Sequence, residues 1–264
     1  MPAISPARLK NEIAQLGEHF GEPARFTAEL DRLLDFYADR TRRPGQVGMP
    51  APLLPAYQTA LPVIRQIENE LARRAAANPA GGLSLAERLW ASAALECKRF
   101  AIHTLRHLPP AWQPAAARQF EQWSAQPLPA EILEDLYTAA AAISPAHTLQ
   151  RAASLLENPD ETAQARGFTA LIALARHAAE DALPPIFKLL PPFIAAPSPE
   201  LKRRLLELTR ALARRIPQET AFFLRQNFII TEQRAFGWLI RQTLPHFPET
   251  IRLELQTLLR ASPN

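Results

Sequence analysis

Cysteine is almost absent from this chain: Cys97 is the single one among 264 residues. A disulfide framework and a cysteine-based metal cluster are therefore excluded. Glycine is sparse at 8 residues, and neither a Gly-rich phosphate loop nor a Gly-x-Ser-x-Gly elbow occurs. No run of about 20 apolar residues is long enough to span a bilayer. The opening residues Met-Pro-Ala-Ile-Ser-Pro-Ala-Arg have no apolar signal-peptide core, so a cytoplasmic protein without a membrane partner is expected. Lysine occurs only at positions 10, 98, 188 and 202, which leaves 26 of the 30 basic residues as arginine. Alternating period-2 runs of Val, Ile, Thr and Tyr are missing as well, which argues against a sheet.

What is abundant is Ala, Leu and Arg, all strong helix formers, and 26 prolines. The prolines punctuate rather than break. Ser5-Pro6, Glu22-Pro23, Ser144-Pro145, Asn158-Pro159 and Ser198-Pro199 each set Pro near a first helical turn, where the missing N–H does no harm. Ser84-Leu-Ala-Glu87 reads as a capping box. The pattern predicts an all-α chain with helices near 5–20, 22–40, 54–78, 84–108, 111–125, 129–142, 145–156, 159–179, 181–195, 199–216, 218–228 and 230–262, the last broken near Pro245. Short connections make successive helices antiparallel. A dozen such helices fit an α-solenoid of about six stacked pairs, HEAT-like or ARM-like, with a spacing of about 40 residues and one domain over 1–264. Thr41–Pro52 is the longest irregular piece, and Ala77–Gly82 is expected to be a second, flexible joint. Cys97 shares a face with Ala93, Ala101 and Leu105 and is expected in the core.

The net charge is +4, which permits nucleic-acid binding without demanding it. On the 199–216 helix Leu201, Leu205, Leu208 and Leu212 form the apolar stripe. Arg203, Arg210 and Arg214 form a basic row flanked by Arg204 and Arg215. Such a row is usually a solvated face, but repeated along a solenoid it lines a groove for phosphates. At about 100° per residue, Arg234, Trp238 and Arg241 share one helix face, with Phe236, Leu239 and Ile240 opposite. An indole between two guanidinium groups suits a polyanion with base and sugar surfaces; the alternative is a Trp packed against a neighbouring repeat, with the Arg side chains lying over its ring. Gly237 beside it is easier to accept where another backbone passes close. Arg166 shares a face with Ala170, Ala173 and His177, opposite Phe168, Leu171, Ile172 and Ala175. Glu131, Glu134 and Asp135 cluster in the first turns of a helix, where the dipole favours acids; a carboxylate there could also stabilise an oxocarbenium-like sugar. His103 and His107 stand i, i+4, but Thr-Leu-Arg between them is not a zincin motif, and no metal or cofactor is expected.

Three segments together resemble the AlkD-like DNA alkylation repair family of HEAT-like repeat proteins. Gly48-Met-Pro-Ala-Pro52-Leu-Leu54 is similar to the family's Gly-Val-x-x-Pro-x-Leu. Leu89-Trp90 through Glu96 to Ala101 is similar to its Leu-Trp…Glu-x-x-x-x-Ala helix. Arg234-Ala-Phe-Gly237-Trp238-Leu-Ile-Arg241 is close to its Lys-Ala-Ile-Gly-Trp-Ala-Leu-Arg. The resemblance spans roughly residues 20–260. It implies a DNA-binding solenoid; joined to the basic rows read above, the expectation is a monomer that binds duplex DNA, alkylated or branched, in an Arg-rich concave groove through Arg203, Arg210, Arg214, Arg234 and Arg241. It implies a glycosylase that releases cationic N3- or N7-alkylpurines, without needing to flip the base as most such enzymes do. Trp238 matches a lesion-site tryptophan and Arg166 the lesion-site arginine, a phosphate clamp. The family's Trp-Asp-x-x-Asp falls near Ala130-Glu131-Ile-Leu-Glu134, so Ala130 replaces the tryptophan and Glu134 the key aspartate (Asp135 in a register shifted by one). Trp123 lies too far upstream to substitute. Two other readings accompany this one: a non-catalytic paralogue that binds damaged or branched DNA, and a HEAT-type scaffold for a protein partner.

Overall fold

The computed structural model describes residues 5–39, 54–194, 197–230 and 233–261, without the side chains of 230, 233–235 and 261. All regular structure among them is helical: α1 (Pro6–Glu18), α2 (Pro23–Phe36), α3 (Leu61–Ala77), α4 (Pro79–Trp90), α5 (Leu95–Arg106), α6 (Gln113–Ser124), α7 (Ala130–Ile143), α8 (Pro145–Glu157), α9 (Glu161–His177), α10 (Pro199–Arg215), α11 (Pro217–Ile230), α12 (Gln233–Thr243) and α13 (Glu249–Ala261). One isolated bridge joins Ala38 and Thr59. The chain forms two compact units, Met1–Ala139 and Ala140–Asn264.

Proline starts the helices as expected in α1, α2, α8 and α10, and Ser198 accepts the Leu201 N–H. Several expectations need correction. Residues 84–108 are not one helix, and Ser84 is not a cap. Helix α4 begins at Pro79, with the Asn78 side chain accepting the Gly81 N–H at 3.0 Å. The Ala77–Gly82 joint is thus a tight helix–helix corner. The chain breaks again after Trp90, where the Leu95 N–H turns to the Pro55 carbonyl. Residues 180–193 form 3-10 turns rather than an α-helix, because Pro184, Pro185, Pro191 and Pro192 remove the donors that i→i−4 bonding needs. Pro159 lies outside α9, whose N-cap is Asp160, accepting from the Ala163 N–H.

In the first unit α1 packs on α3, α3 on α5, and α2 on α4. Trp90 of α4 and Trp123 of α6 stack at 4.2 Å between centroids, and the Trp90 indole N–H donates to Gln126. Residues 54–60, expected at the start of a helix, are instead an extended strap. The buried Glu96 carboxylate holds it, accepting the backbone N–H groups of Tyr57 (3.1 Å) and Gln58 (2.9 Å). Gln58 has a φ of 58°, a left-handed conformation that a non-glycine residue keeps only when its surroundings enforce it. Cys97, next along α5, is buried as expected, and burial pushes its thiol up to about 11.

In the second unit the expected stripe Leu201, Leu205, Leu208 and Leu212 is buried, each side chain contributing about 1.5–3 kcal/mol. Helix α9 packs against both α8 and α10. Its residues 167–175 are buried all round, so Ala170 and Ala173 are core rather than an open alanine face. Gly167 permits the α8–α9 approach, since a Cβ there would lie 2.9 Å from Leu156 and 3.2 Å from the Ala152 carbonyl. Helices α9, α10 and α12 run parallel. Thr169 and Arg176 meet Arg204 and Glu207, and Trp238 and Gln242 meet Lys202 and Arg210, in the same order along each helix.

Candidate nucleic-acid interface

Trp238 projects from α12 on the side opposite Phe236, Leu239 and Ile240, which are all buried. The indole is half-buried. The cation over it comes from the neighbouring helix rather than from its own: Lys202 Nζ of α10 lies 4.4 Å from the ring centroid, within cation–π range. Arg241 is exposed, and its Nη2 would lie 3.5 Å from a Cβ placed on Gly237, so its guanidinium folds back along its own helix. The side chain of Arg234 lies outside the described residues. The same Cβ would meet Phe228 at 3.6 Å and Leu259 at 3.7 Å. Those are ordinary contacts with side chains, so no passing backbone calls for the glycine.

The basic row of α10 divides in two. Arg203 and Arg204 both bond Glu200, and Arg204 also donates to Thr169 Oγ1. These hydrogen bonds, led by that from Arg203, hold the Glu200 carboxyl below its ordinary pKa. Two turns on, the partners are neutral. Arg210 donates to the main-chain and side-chain oxygens of Gln242, both at 3.3 Å. Arg214 Nη2 donates to His246 Nδ1 at 3.1 Å. Because arginine can only donate, that ring nitrogen must be unprotonated. The His246 pKa is lowered, first by burial and then by Arg214 and Arg210. Arg215 caps the end of α9, donating to the carbonyls of Ala175, Arg176 and Ala178, which satisfies acceptors the helix leaves open. Arg176 pairs with Glu207 at 2.6 Å. Ala175, Arg176, Glu207, Arg210, Ala211, Arg214 and Arg215 enclose a cleft of about 360 Å³.

Three polar groups on this surface, Lys202, Gln242 and His246, were not singled out from the sequence. Their signal is a register, not a motif. Side chains that meet across α9–α10 and α10–α12 stand 31 to 35 residues apart in most hydrogen-bonded cases.

The carboxylates of α7 belong to the first unit. Asp135 bonds Arg99 at 2.9 Å, and Glu131 lies 3.5 Å from the same guanidinium. Glu134 is exposed. Asp135, not Glu134, lines a cleft of about 250 Å³ with Glu68, Arg99, His103 and Arg106. His103 Nε2 bonds the Glu68 carbonyl at 3.0 Å, and its ring lies 4.2 Å from that of His107. Burial, then the neighbouring His107, pushes His103 down to about 4, and burial raises Glu68. No group of three or more metal-binding side chains occurs among the described residues. Trp123 is buried in its stack with Trp90. Glu96, from the family-like motif of α5, is committed to holding the 54–60 strap.

Of the residues tied to base excision, Glu134 thus stands on the first unit and Arg166 and Trp238 on the second. Arg166 is half-buried near the start of α9. Set against known proteins, the chain matches no protein-family model and no curated protein sequence.

Proposed function

We propose that both units are built of HEAT-like helix pairs and that the second binds duplex DNA along the exposed side of α10 and α12. The parallel course of α9, α10 and α12, with partners one helix pair apart in sequence, supports the repeat reading. One observation carries the DNA reading: Arg210 and Arg214 end on neutral partners, Gln242 and His246, and Trp238 under Lys202 lies on the same pair of helices. Cations without a carboxylate partner and an aromatic face together suit a sugar–phosphate strand.

The finer reading is an alkylpurine DNA glycosylase. Its residues are those the resemblance assigns: Glu134 to stabilise the sugar cation, Arg166 to clamp a phosphate and Trp238 to pack against the lesion nucleotide. DNA recognition without base release is favoured by a different observation: Ala130 stands where the family has tryptophan, and Trp123 is held in the core.

Release of 7-methylguanine and 3-methyladenine from methylated duplex DNA tests both, with Glu134→Gln beside the wild type. Release that the variant loses supports the glycosylase. Binding without release supports recognition alone. A folded chain that does not bind DNA at low salt sinks both and leaves a protein-binding scaffold.

A further inference from the structure

The cleft between the C-terminal halves of α9 and α10 has a charge balance of its own. Four arginines line it with one glutamate. Arg176 is neutralised by Glu207, and Arg215 is held by three carbonyls with Glu180 3.7 Å away. Among the described residues Arg210 and Arg214 have no carboxylate partner; their hydrogen bonds go to Gln242 and His246. They stand one helical turn apart on α10, a spacing of about 5–6 Å between Cβ atoms. Two like charges so close repel, and a ligand with two negative charges between them removes the repulsion and fills both donor forks. Ala175 and Ala211 keep the cleft clear of bulky side chains, and its volume of about 360 Å³ suits one compact group rather than a duplex.

We propose that this cleft is a site for a phosphate monoester, gripped by Arg210 and Arg214, with Arg176 and His246 at its edge. A monoester carries a charge of about −1.5 to −2 at neutral pH, where a backbone diester carries only one. That matches the two unopposed guanidinium groups. The source is the terminal phosphate of a nucleic-acid strand or a small free phosphate. Only the first source rests on the DNA reading above.

Calorimetric titration of the full chain tests the site with three probes: inorganic phosphate, a short duplex with 5′-phosphates, and the same duplex with 5′-hydroxyls. Arg210→Ala with Arg214→Ala is the test variant, and Arg73→Ala, an exposed arginine of the first unit paired with Glu70, is the control. Circular dichroism checks that each is folded. The phosphorylated duplex should bind about tenfold tighter than the hydroxyl duplex. That preference should vanish in the double variant and persist in Arg73→Ala. Phosphate binding that the double variant loses, with neither duplex bound, keeps the cleft and removes the DNA reading. Equal affinity for both duplexes and no binding of inorganic phosphate by the wild type overturns the cleft proposal, as does an undiminished preference in the folded double variant.

Discussion

Each unit has a cleft lined by charged side chains, and the two differ in how those charges are answered. In the first, Arg99 meets Asp135 and Glu131, and His103 is bonded to a backbone carbonyl. In the second, Arg210 donates to Gln242 and Arg214 to a neutral imidazole, that of His246. Charges that already have opposite partners gain little from a ligand, because binding must first break the pair. Charges resting on neutral groups keep most of their field for an incoming anion. The contrast favours the second unit for the anion binding proposed above, and a structural role for Arg99 and His103 in the first.

The sharpest way to break that contrast is through Glu96. Its buried carboxylate accepts two backbone N–H groups of the strap, so Glu96→Ala leaves two donors unsatisfied. A loss of about 3 kcal/mol in urea unfolding is expected. An unchanged midpoint would mean that water or another group replaces the carboxylate.

Next comes a pair of double variants compared in DNA binding. Arg210→Ala with Arg214→Ala should weaken binding about tenfold or more and reduce the salt slope by roughly 2. Arg99→Ala with Arg73→Ala, two acid-paired arginines of the first unit, should leave both nearly unchanged. Equal losses from the two would erase the distinction between the units.

Gly237→Ala probes the second unit alone. A Cβ there makes only ordinary contacts, at 3.5 Å and beyond, so the variant should gain about 0.5–1 kcal/mol in thermal unfolding. Destabilisation would show that the glycine serves a closer contact.

The smallest effect concerns protons. His246 is held neutral by burial and by Arg214 and Arg210. A bound phosphate offsets those cations and raises its pKa, so binding takes up a proton. Affinity for DNA should therefore rise, by about threefold, as pH falls through the ordinary histidine value of about 6.5. His246→Gln should bind with no such dependence.

Much of this molecule can be read from its residues in order. The stripe Leu201, Leu205, Leu208 and Leu212, the core side of Phe236, Leu239 and Ile240, the burial of Cys97, and the Pro-led starts of α1, α2, α8 and α10 all follow from local periodicity and capping chemistry. Some misreadings had local causes, the prolines of 184–192 and the Asn78 cap of α4; in others, tertiary partners outweighed the local signal. The end of α4 and the start of α5 depend on a strap 39 residues upstream of Glu96, and α9 is buried all round because α8 and α10 both cover it.

The candidate site divides along the same line. Sequence alone determined that Trp238 leaves the core side of its helix and that α10 carries a row of arginines, because both follow from 100° per residue. Only the tertiary structure decided that Lys202 covers the indole, that Arg203 is answered by Glu200, and that Arg210 and Arg214 donate to Gln242 and His246. Helical periodicity fixes the direction in which a side chain points around its axis. Which neighbour it meets depends on how far one helix slides along the next, and packing across more than 30 residues of chain sets that offset.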